Sequence, residues 1–201
     1  MKGFYFITDA GLSRAGNLSD VAQAVAAGVK VVQYRDKCVP TRTLVEEARR
    51  LREICRDALF LVNDRVDVAL AAAADGVHLG QEDLPYAAAR RLLGKKKVIG
   101  LTVRSLAEAL EAQELGADYL GVSPIFTTST KADAGPPAGL GLLKEIRQRV
   151  SLPLVAIGGI TLTNAPEVIR AGADLVAAIS AVVTHTDVAG EIGKFQALFR
   201  A

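Results

Sequence analysis

The chain has 201 residues, 50% hydrophobic and 23% charged, which is enough apolar material for the buried core of a globular protein. Its 24 basic and 22 acidic residues give a formal net charge of +2 and are spread along the length, so the composition excludes a nucleic-acid-binding arm. Cys38 and Cys55 form no CxxC pair, and the apolar run after Met1 is too short for a membrane span. We therefore expect a cytoplasmic protein with no nucleic-acid or membrane partner, in which both cysteines are packing residues.

Short β-branched runs alternate with segments of helical spacing along the whole chain. Near-continuous apolar strands separated by helices predict a parallel sheet covered on both faces, because parallel strands need a crossover helix between them. The predicted strands are 4–8, 29–34, 59–63, 76–80, 97–103, 118–123, 152–157 and 174–180. The predicted helices are 20–28, 41–55, 65–73, 85–93, 105–116, 141–150, 162–172 and 187–199.

Four junctions between a helix and the next strand have similar sequences and precede strands two, four, six and eight. They read AAGVKVVQYR, AAADGVHLGQ, ELGADYLGVS and RAGADLVAAIS. A repeat that is two βα units long is typical of a closed barrel, whereas a doubly wound open sheet is the alternative. We predict an α/β fold, a (β/α)8 TIM barrel, as a single domain over residues 1–201.

Charged and amide side chains follow the second, third and fourth strands. The two-residue period of a strand places Gln33, Arg35 and Lys37 on one face, while Asp64 and Asp83 follow the next two strands. Two carboxylates beside two cations suit a hard divalent ion, Mg2+, completed by phosphate oxygens of a substrate.

Each of these residues also has a plainer interpretation. Asp64 would be the N-cap of the helix that starts near Arg65, Asp83 a turn residue before Pro85, and the two cations solvated loop charges. His78 is more typical of a hydrogen-bonded core histidine than of a catalytic base, because a base must reach the substrate.

A second anion site is predicted from the later strands. The segment 122–141 is a long loop with Thr128, Thr130 and Lys131, and 157-IGGIT-161 and 179-IS-180 end strands seven and eight. Glycines there let backbone N–H groups approach a phosphate at the usual phosphate site of this architecture. Because no Ser-His-Asp or zinc-ligand spacing occurs, we expect catalysis through electrostatics and positioning.

Six ordered motifs resemble the thiamine phosphate synthase family: QYRDK, LVND, DGVHLGQEDLP, TTSTK within GVSPIFTTSTK, AIGGIT and AIS. The resemblance covers nearly the whole chain. It implies a (β/α)8 barrel that joins an aminopyrimidine methyl diphosphate to a thiazole phosphate with Mg2+, releasing pyrophosphate and forming thiamine phosphate. The resemblance does not decide whether the protein is a monomer or a homo-oligomer.

The resemblance also assigns roles to individual residues. Asp64 and Asp83 would hold Mg2+, and Arg35, Lys37 and Lys131 would be the catalytic cations that neutralise the leaving pyrophosphate. The diphosphate substrate would contact Gln33, Arg35, Lys37, Asn63 and Lys131, with Thr102 near the pyrimidine, and the thiazole phosphate would contact Thr128, Thr130, Gly159, Ile179 and Ser180.

Two departures and three alternatives accompany the resemblance. In 100-GLTVR-104, Thr102 stands at the usual serine and Arg104 at the usual histidine.

A thiazole tautomerase paralogue typically lacks the aspartate pair and carries a histidine after strand six, where this chain has Pro124. A non-catalytic sensor of thiamine precursors would keep the anion contacts and relax the metal pair. A phosphosugar isomerase or epimerase needs a base that this sequence does not offer.

Overall fold

A computed structural model describes residues 2–128 and 135–200 and contains a closed barrel of eight parallel strands. Each strand pairs with the next along the chain, and β8 pairs with β1. The predicted (β/α)8 barrel is confirmed and the open-sheet alternative is wrong. The strands are Gly3–Ile7 (β1), Val31–Tyr34 (β2), Leu59–Asn63 (β3), Gly76–Leu79 (β4), Val98–Val103 (β5), Tyr119–Val122 (β6), Leu154–Ile157 (β7) and Leu175–Ala177 (β8).

Helices surround the barrel at the predicted places, and an additional short helix follows β8. Those among the described residues are Asn17–Ala26 (α1), Thr41–Ile54 (α2), Val66–Ala71 (α3), Tyr86–Leu93 (α4), Leu106–Leu115 (α5), Gly139–Arg149 (α6), Ala165–Arg170 (α7), Ser180–Val183 (α8) and Val188–Ala197 (α9). The prediction of a strand through residue 180 is wrong at its end. Strand pairing stops at Ala177, and the backbone of Ile179 is already helical (φ −57°, ψ −65°), so that Ser180 begins the short helix α8.

The alternation of side chains along each strand divides the core into two layers. One face of each strand packs against the helices, as where the Phe4 ring lies 5.2 Å from that of Phe195 in α9. The other face fills the barrel interior, because consecutive side chains of a strand point to opposite faces. The buried interior apolar residues are Tyr5, Ile7, Val31, Leu61, Tyr119, Val155, Leu175 and Ala177.

The cysteines differ in their surroundings. Cys55 is buried behind α2, as expected, but Cys38 is exposed in the loop after β2, so the expectation that both pack is wrong for Cys38. Cys38 lies in the loop between the end of β2 and Pro40, and this loop does not pack the side chain beneath a helix. Within residues 2–128 and 135–200, no helix has the length and apolar character to cross a membrane.

Candidate active site

A pocket lies at the carboxyl ends of the strands, where this architecture binds ligands. Every sequence-predicted site residue that the structure describes lines this pocket. These residues are Gln33, Arg35, Lys37, Asn63, Asp64, Asp83, Thr102, Thr128, Gly159, Ile179 and Ser180. Thr130 and Lys131 lie outside the described residues, so their predicted roles stay predictions.

The alternation predicted for β2 places its polar residues in the pocket. Tyr34 points outward and donates a hydrogen bond to Glu47 on α2 (2.6 Å), while Gln33 and Arg35 line the pocket. Thr8, which follows β1, holds the backbone of the chain just beyond the end of β2. Its hydroxyl accepts from the Arg35 N–H (2.9 Å) and donates to the Arg35 carbonyl (3.1 Å).

Asp64 does not act as a helix cap. The helix α3 starts at Val66 after Arg65, and no side chain caps its N-terminus, so the capping interpretation is wrong. Asp64 has a positive φ of 61°, a conformation that few non-glycine residues adopt and that Asp tolerates better than most. Its carboxylate lies in the pocket, 3.3 Å from the ammonium nitrogen of Lys37.

Asp83 combines a local role with a place in the pocket. One carboxylate oxygen accepts the Gly80 N–H at 2.7 Å, so the turn interpretation holds for that oxygen. The same carboxylate borders Asp64: burial and then Asp83 raise the pKa of Asp64, and the Lys37 ammonium opposes the rise. A carboxylate with a raised pKa beside a second carboxylate forms an arrangement that an additional cation would stabilise.

The donor set fits a hexacoordinate hard cation better than a zinc ion. Among the described residues, no group of three or more His, Cys, Asp or Glu side chains is placed to hold a metal. Mg2+ typically uses one or two protein carboxylates and completes its shell with water and substrate phosphate oxygens. Asp64 and Asp83 supply that number of carboxylates and are therefore compatible with the predicted ion.

The loop after β7 faces the carboxylates, because β7 lies opposite β3 in a closed barrel of eight strands. Gly158 and Gly159 have φ of 100° and 64°, and a Cβ on either would lie 2.6 Å from an atom of the loop after β6. That loop is tied to β7 by hydrogen bonds from the N–H of Ile125 to Ile157 and of Phe126 to Gly158. The glycines thus allow two pocket loops to pack closely.

The sequence analysis did not identify a buried polar network below this pocket. Gln33 donates to the Tyr5 hydroxyl (2.8 Å), and the hydroxyls of Tyr5 and Tyr119 are 2.7 Å apart. His78 contacts the Tyr119 hydroxyl through Nδ1 and the Thr102 hydroxyl through Nε2, each at 2.8 Å. His78 is a buried core histidine, as expected, and it also lines the pocket.

A second feature missed by the sequence analysis concerns the residues after β4 and β5. The side-chain amide of Gln81 donates to the Thr102 carbonyl at 2.6 Å, which joins the loop after β4 to β5. Arg104, which stands at the family's usual histidine, lines the pocket and has an exposed side chain. The GQED sequence places Gln81 directly after the fourth strand, but its hydrogen-bond partner on β5 could not be predicted from the sequence.

Fold and site together define a (β/α)8 barrel with a pocket suited to anionic ligands. A family model described as thiamine monophosphate synthase matches residues 4–182. Curated thiamine-phosphate synthases are similar to the chain: that of Methanosarcina barkeri is 52% identical over 98% of the chain and 90% of its own length, and that of Chloroflexus aurantiacus 54% identical over 96% and 91%. A solved thiamine phosphate pyrophosphorylase from Pyrococcus furiosus superposes with a TM-score of 0.89 at 42% identity, covering 98% of this chain and 95% of that chain.

The chain belongs to the thiamine monophosphate synthase family. It is accordingly an enzyme, a transferase of thiamine biosynthesis, as the resemblance predicted.

Proposed function

We propose that the enzyme condenses 4-amino-2-methyl-5-(diphosphooxymethyl)pyrimidine with 4-methyl-5-(2-phosphooxyethyl)thiazole to thiamine phosphate and pyrophosphate with the assistance of Mg2+. With the carboxylated tautomer of the thiazole as substrate, the carboxyl group leaves as CO2 in addition. The observation that carries the proposal is the pair Asp64 and Asp83 beside Lys37, with Gly158 and Gly159 across the pocket. Two anion sites that face each other suit a diphosphate and a phosphate. The names of the similar enzymes support the same reaction.

The first chemical step breaks the bond between the methylene carbon and the diphosphate oxygen. The electron pair leaves with the oxygen, so negative charge grows on the pyrophosphate and positive charge on the pyrimidine methyl carbon. Arg35 and Lys37 neutralise the leaving group from fixed positions, with Lys131 as a further predicted cation, and such preorganised stabilisation is commonly the largest catalytic term. Mg2+ held by Asp64 and Asp83 would supply additional charge stabilisation there.

The second step forms the bond between the methylene carbon and the thiazole ring nitrogen, whose lone pair captures the cation. This step needs no protein nucleophile. The enzyme must instead hold the thiazole close, and we assign this role to Gly159, Ile179 and Ser180 together with Thr128 and Thr130. Positioning of two reactants can contribute a large part of the rate enhancement.

The experiment measures pyrophosphate release and thiamine phosphate formation by the purified enzyme, with each substrate alone, with both, and with or without Mg2+. We expect equal amounts of the two products only when both substrates and the metal are present. Asp83→Asn should lose the Mg2+-dependent activity. Asp57→Asn is the matched control, because Asp57 is an exposed carboxylate before β3, at the opposite end of the barrel.

Other outcomes would contradict the proposal in distinct ways. Binding of the thiazole phosphate without release of pyrophosphate would favour the tautomerase or sensor alternative. Full activity after removal of all divalent ions would refute the role of Asp64 and Asp83 as ligands of Mg2+. Near-normal turnover of both Asp83→Ala and Lys131→Ala would refute the site assignment.

A further inference from the structure

The buried polar network below the pocket connects two of its lining residues. Gln33 and Thr102 stand on β2 and β5, three strands apart, and Tyr5, Tyr119 and His78 join them through four hydrogen bonds of 2.7–2.8 Å. All five side chains are at most 8% exposed. Inside a barrel, such a buried network must be fully satisfied to be tolerated.

Two glycines provide the space that the network occupies. A Cβ at Gly100 would overlap the Tyr119 ring, and a Cβ at Gly121 would lie 2.9 Å from Cε1 of His78. Both glycines have ordinary strand backbone in β5 and β6 and no positive φ, so their conformation does not require glycine. Glycine is required at these two positions by the packing of Tyr119 and His78.

With the Gln33 amide nitrogen directed at the Tyr5 hydroxyl, the direction of the other hydrogen bonds in the network follows. The Gln33 amide nitrogen can only donate, so the Tyr5 hydroxyl accepts and passes its own hydrogen to Tyr119. The reverse direction between the phenols would leave the buried Tyr5 hydrogen without a partner, which is costly. Tyr119 therefore donates to Nδ1 of His78, and the imidazole carries its hydrogen on Nε2 and donates to Thr102.

Both phenols stay protonated, which preserves this order of donors and acceptors. Burial raises the pKa of both Tyr5 and Tyr119 well above the ordinary phenol value, so each retains the hydrogen that it passes on. At the ends of the relay, the amide oxygen of Gln33 is left as an acceptor, and the Thr102 hydroxyl, whose oxygen accepts from His78, is left as a donor.

We propose that Tyr5, Tyr119 and His78 are positioning residues that act through Gln33 and Thr102, so that the pocket presents a fixed acceptor on β2 and a fixed donor on β5. This pair recognises a heterocycle that offers an amino hydrogen to one residue and a ring nitrogen to the other. The inference rests on the proposed function, in which the aminopyrimidine is that heterocycle. The thiazole phosphate makes no use of the relay.

Tyr119→Phe tests the inference because it removes one relay hydroxyl and keeps the ring. We expect the KM for the aminopyrimidine diphosphate to rise about tenfold, the effect of one lost hydrogen bond, while the KM for the thiazole phosphate stays within twofold. Tyr34→Phe is the matched control, since it removes a buried phenol hydroxyl on the outer side of the barrel. Tyr5→Phe replaces Tyr119→Phe if the latter does not fold.

A spectroscopic measurement on the ligand-free enzyme reads the direction of the relay itself. The chain has only two histidines, so a His185→Gln variant assigns the His78 ring signals in a long-range 1H–15N spectrum. We expect the hydrogen on Nε2 in the wild type and in Tyr34→Phe, and a mixture of tautomers in Tyr119→Phe.

Two results would overturn the inference. A wild-type His78 with its hydrogen on Nδ1 would mean that the relay runs the other way, with a donor at Gln33 and an acceptor at Thr102. Equal changes in both KM values in Tyr119→Phe would indicate a merely structural role. Because the tautomer is measured without substrate, an enzyme that releases no pyrophosphate would refute the proposed function and leave the relay decided by the spectrum.

Discussion

The ammonium nitrogen of Lys37 lies 3.3 Å from a carboxylate oxygen of Asp64, and Asp83 borders the same carboxylate. Lys37 lowers the pKa of Asp64, but burial and the Asp83 carboxylate raise it, and the net shift is upward. The fold therefore keeps a carboxylate in surroundings that disfavour its charge. Such perturbed groups in a cleft are typical of functional sites, where stability is exchanged for activity.

Asp64→Asn should separate stability from activity. Because the folded-state pKa is raised, the ionised Asp64 costs stability once the pH exceeds its unfolded value, and the full cost is present above the folded value. Asparagine removes this cost at neutral pH and tolerates the positive φ. We expect the Tm of the metal-free variant to equal or exceed that of the wild type, while pyrophosphate release falls at least about 100-fold.

Thermal unfolding in the presence of a chelator and a pyrophosphate-release assay provide the two measurements. Asp57→Asn, the exposed control, should change neither quantity. A clearly lower Tm for Asp64→Asn would show that the carboxylate stabilises the fold through Lys37, and the interpretation of its raised pKa would be wrong.

The sequence predicted the barrel because each of its signals was local. The alternation in 33-QYRDK-37 and the repeated helix-to-strand junctions depend on neighbours in the chain, and the structure contains the strands that they predict. The end of β8 was less well defined. The apolar, partly β-branched run 174-DLVAAIS-180 is compatible with either a strand or a helix start, and only pairing with β7 and β1 decides where the strand ends.

The relay from Gln33 to Thr102 could not be predicted in the same way. Tyr119 and Gly100 are 19 positions apart, and nothing local shows that one fills the space left by the other. Even the direction in which Tyr5 points follows only after the barrel is closed. Contacts across the interior depend on the register of neighbouring strands, which the sequence pattern does not specify.

The two thiols should differ sharply in reactivity. Burial is the main cause that raises the pKa of Cys55 to about 12, whereas Cys38 is exposed in the loop after β2. We expect iodoacetamide at pH 8 to modify Cys38 and to spare Cys55 until the protein unfolds, because the thiolate is the reactive form. Mass spectrometry with and without denaturant measures both. Modification of Cys55 in the native protein at a rate similar to Cys38 would contradict its burial.

Gly100→Ala should destabilise the barrel interior. The new methyl group would overlap the rigid Tyr119 ring, and overpacking of this kind typically costs about 1–3 kcal/mol. Gly193→Ala is the matched control, because Gly193 lies in α9 with open space around it. The control should stabilise the protein by about 0.5–1 kcal/mol, since alanine is the better helix former. Urea unfolding of both variants measures the two free energies, and equal values would contradict the packing argument.

Gly159→Ala should impair the thiazole phosphate side of the pocket. Its φ of 64° strains an alanine, and the added Cβ would lie 2.6 Å from the Thr127 carbonyl oxygen, so the loops after β6 and β7 must separate. We expect the KM for the thiazole phosphate to rise at least about tenfold, because misplacement of a positioning loop weakens binding and turnover together.

Gly94→Ala is the control: it has a similar φ of 73° with no atom near its Cβ, at the end of α4 and away from the pocket. Steady-state kinetics with each substrate varied in turn distinguish the two sites. The control should lose about 1–3 kcal/mol of stability, because its backbone (φ 73°, ψ −177°) is one that few residues other than glycine adopt, and it should keep both KM values. A Gly159→Ala enzyme with a raised KM for the aminopyrimidine diphosphate alone would mean that this loop holds the other substrate.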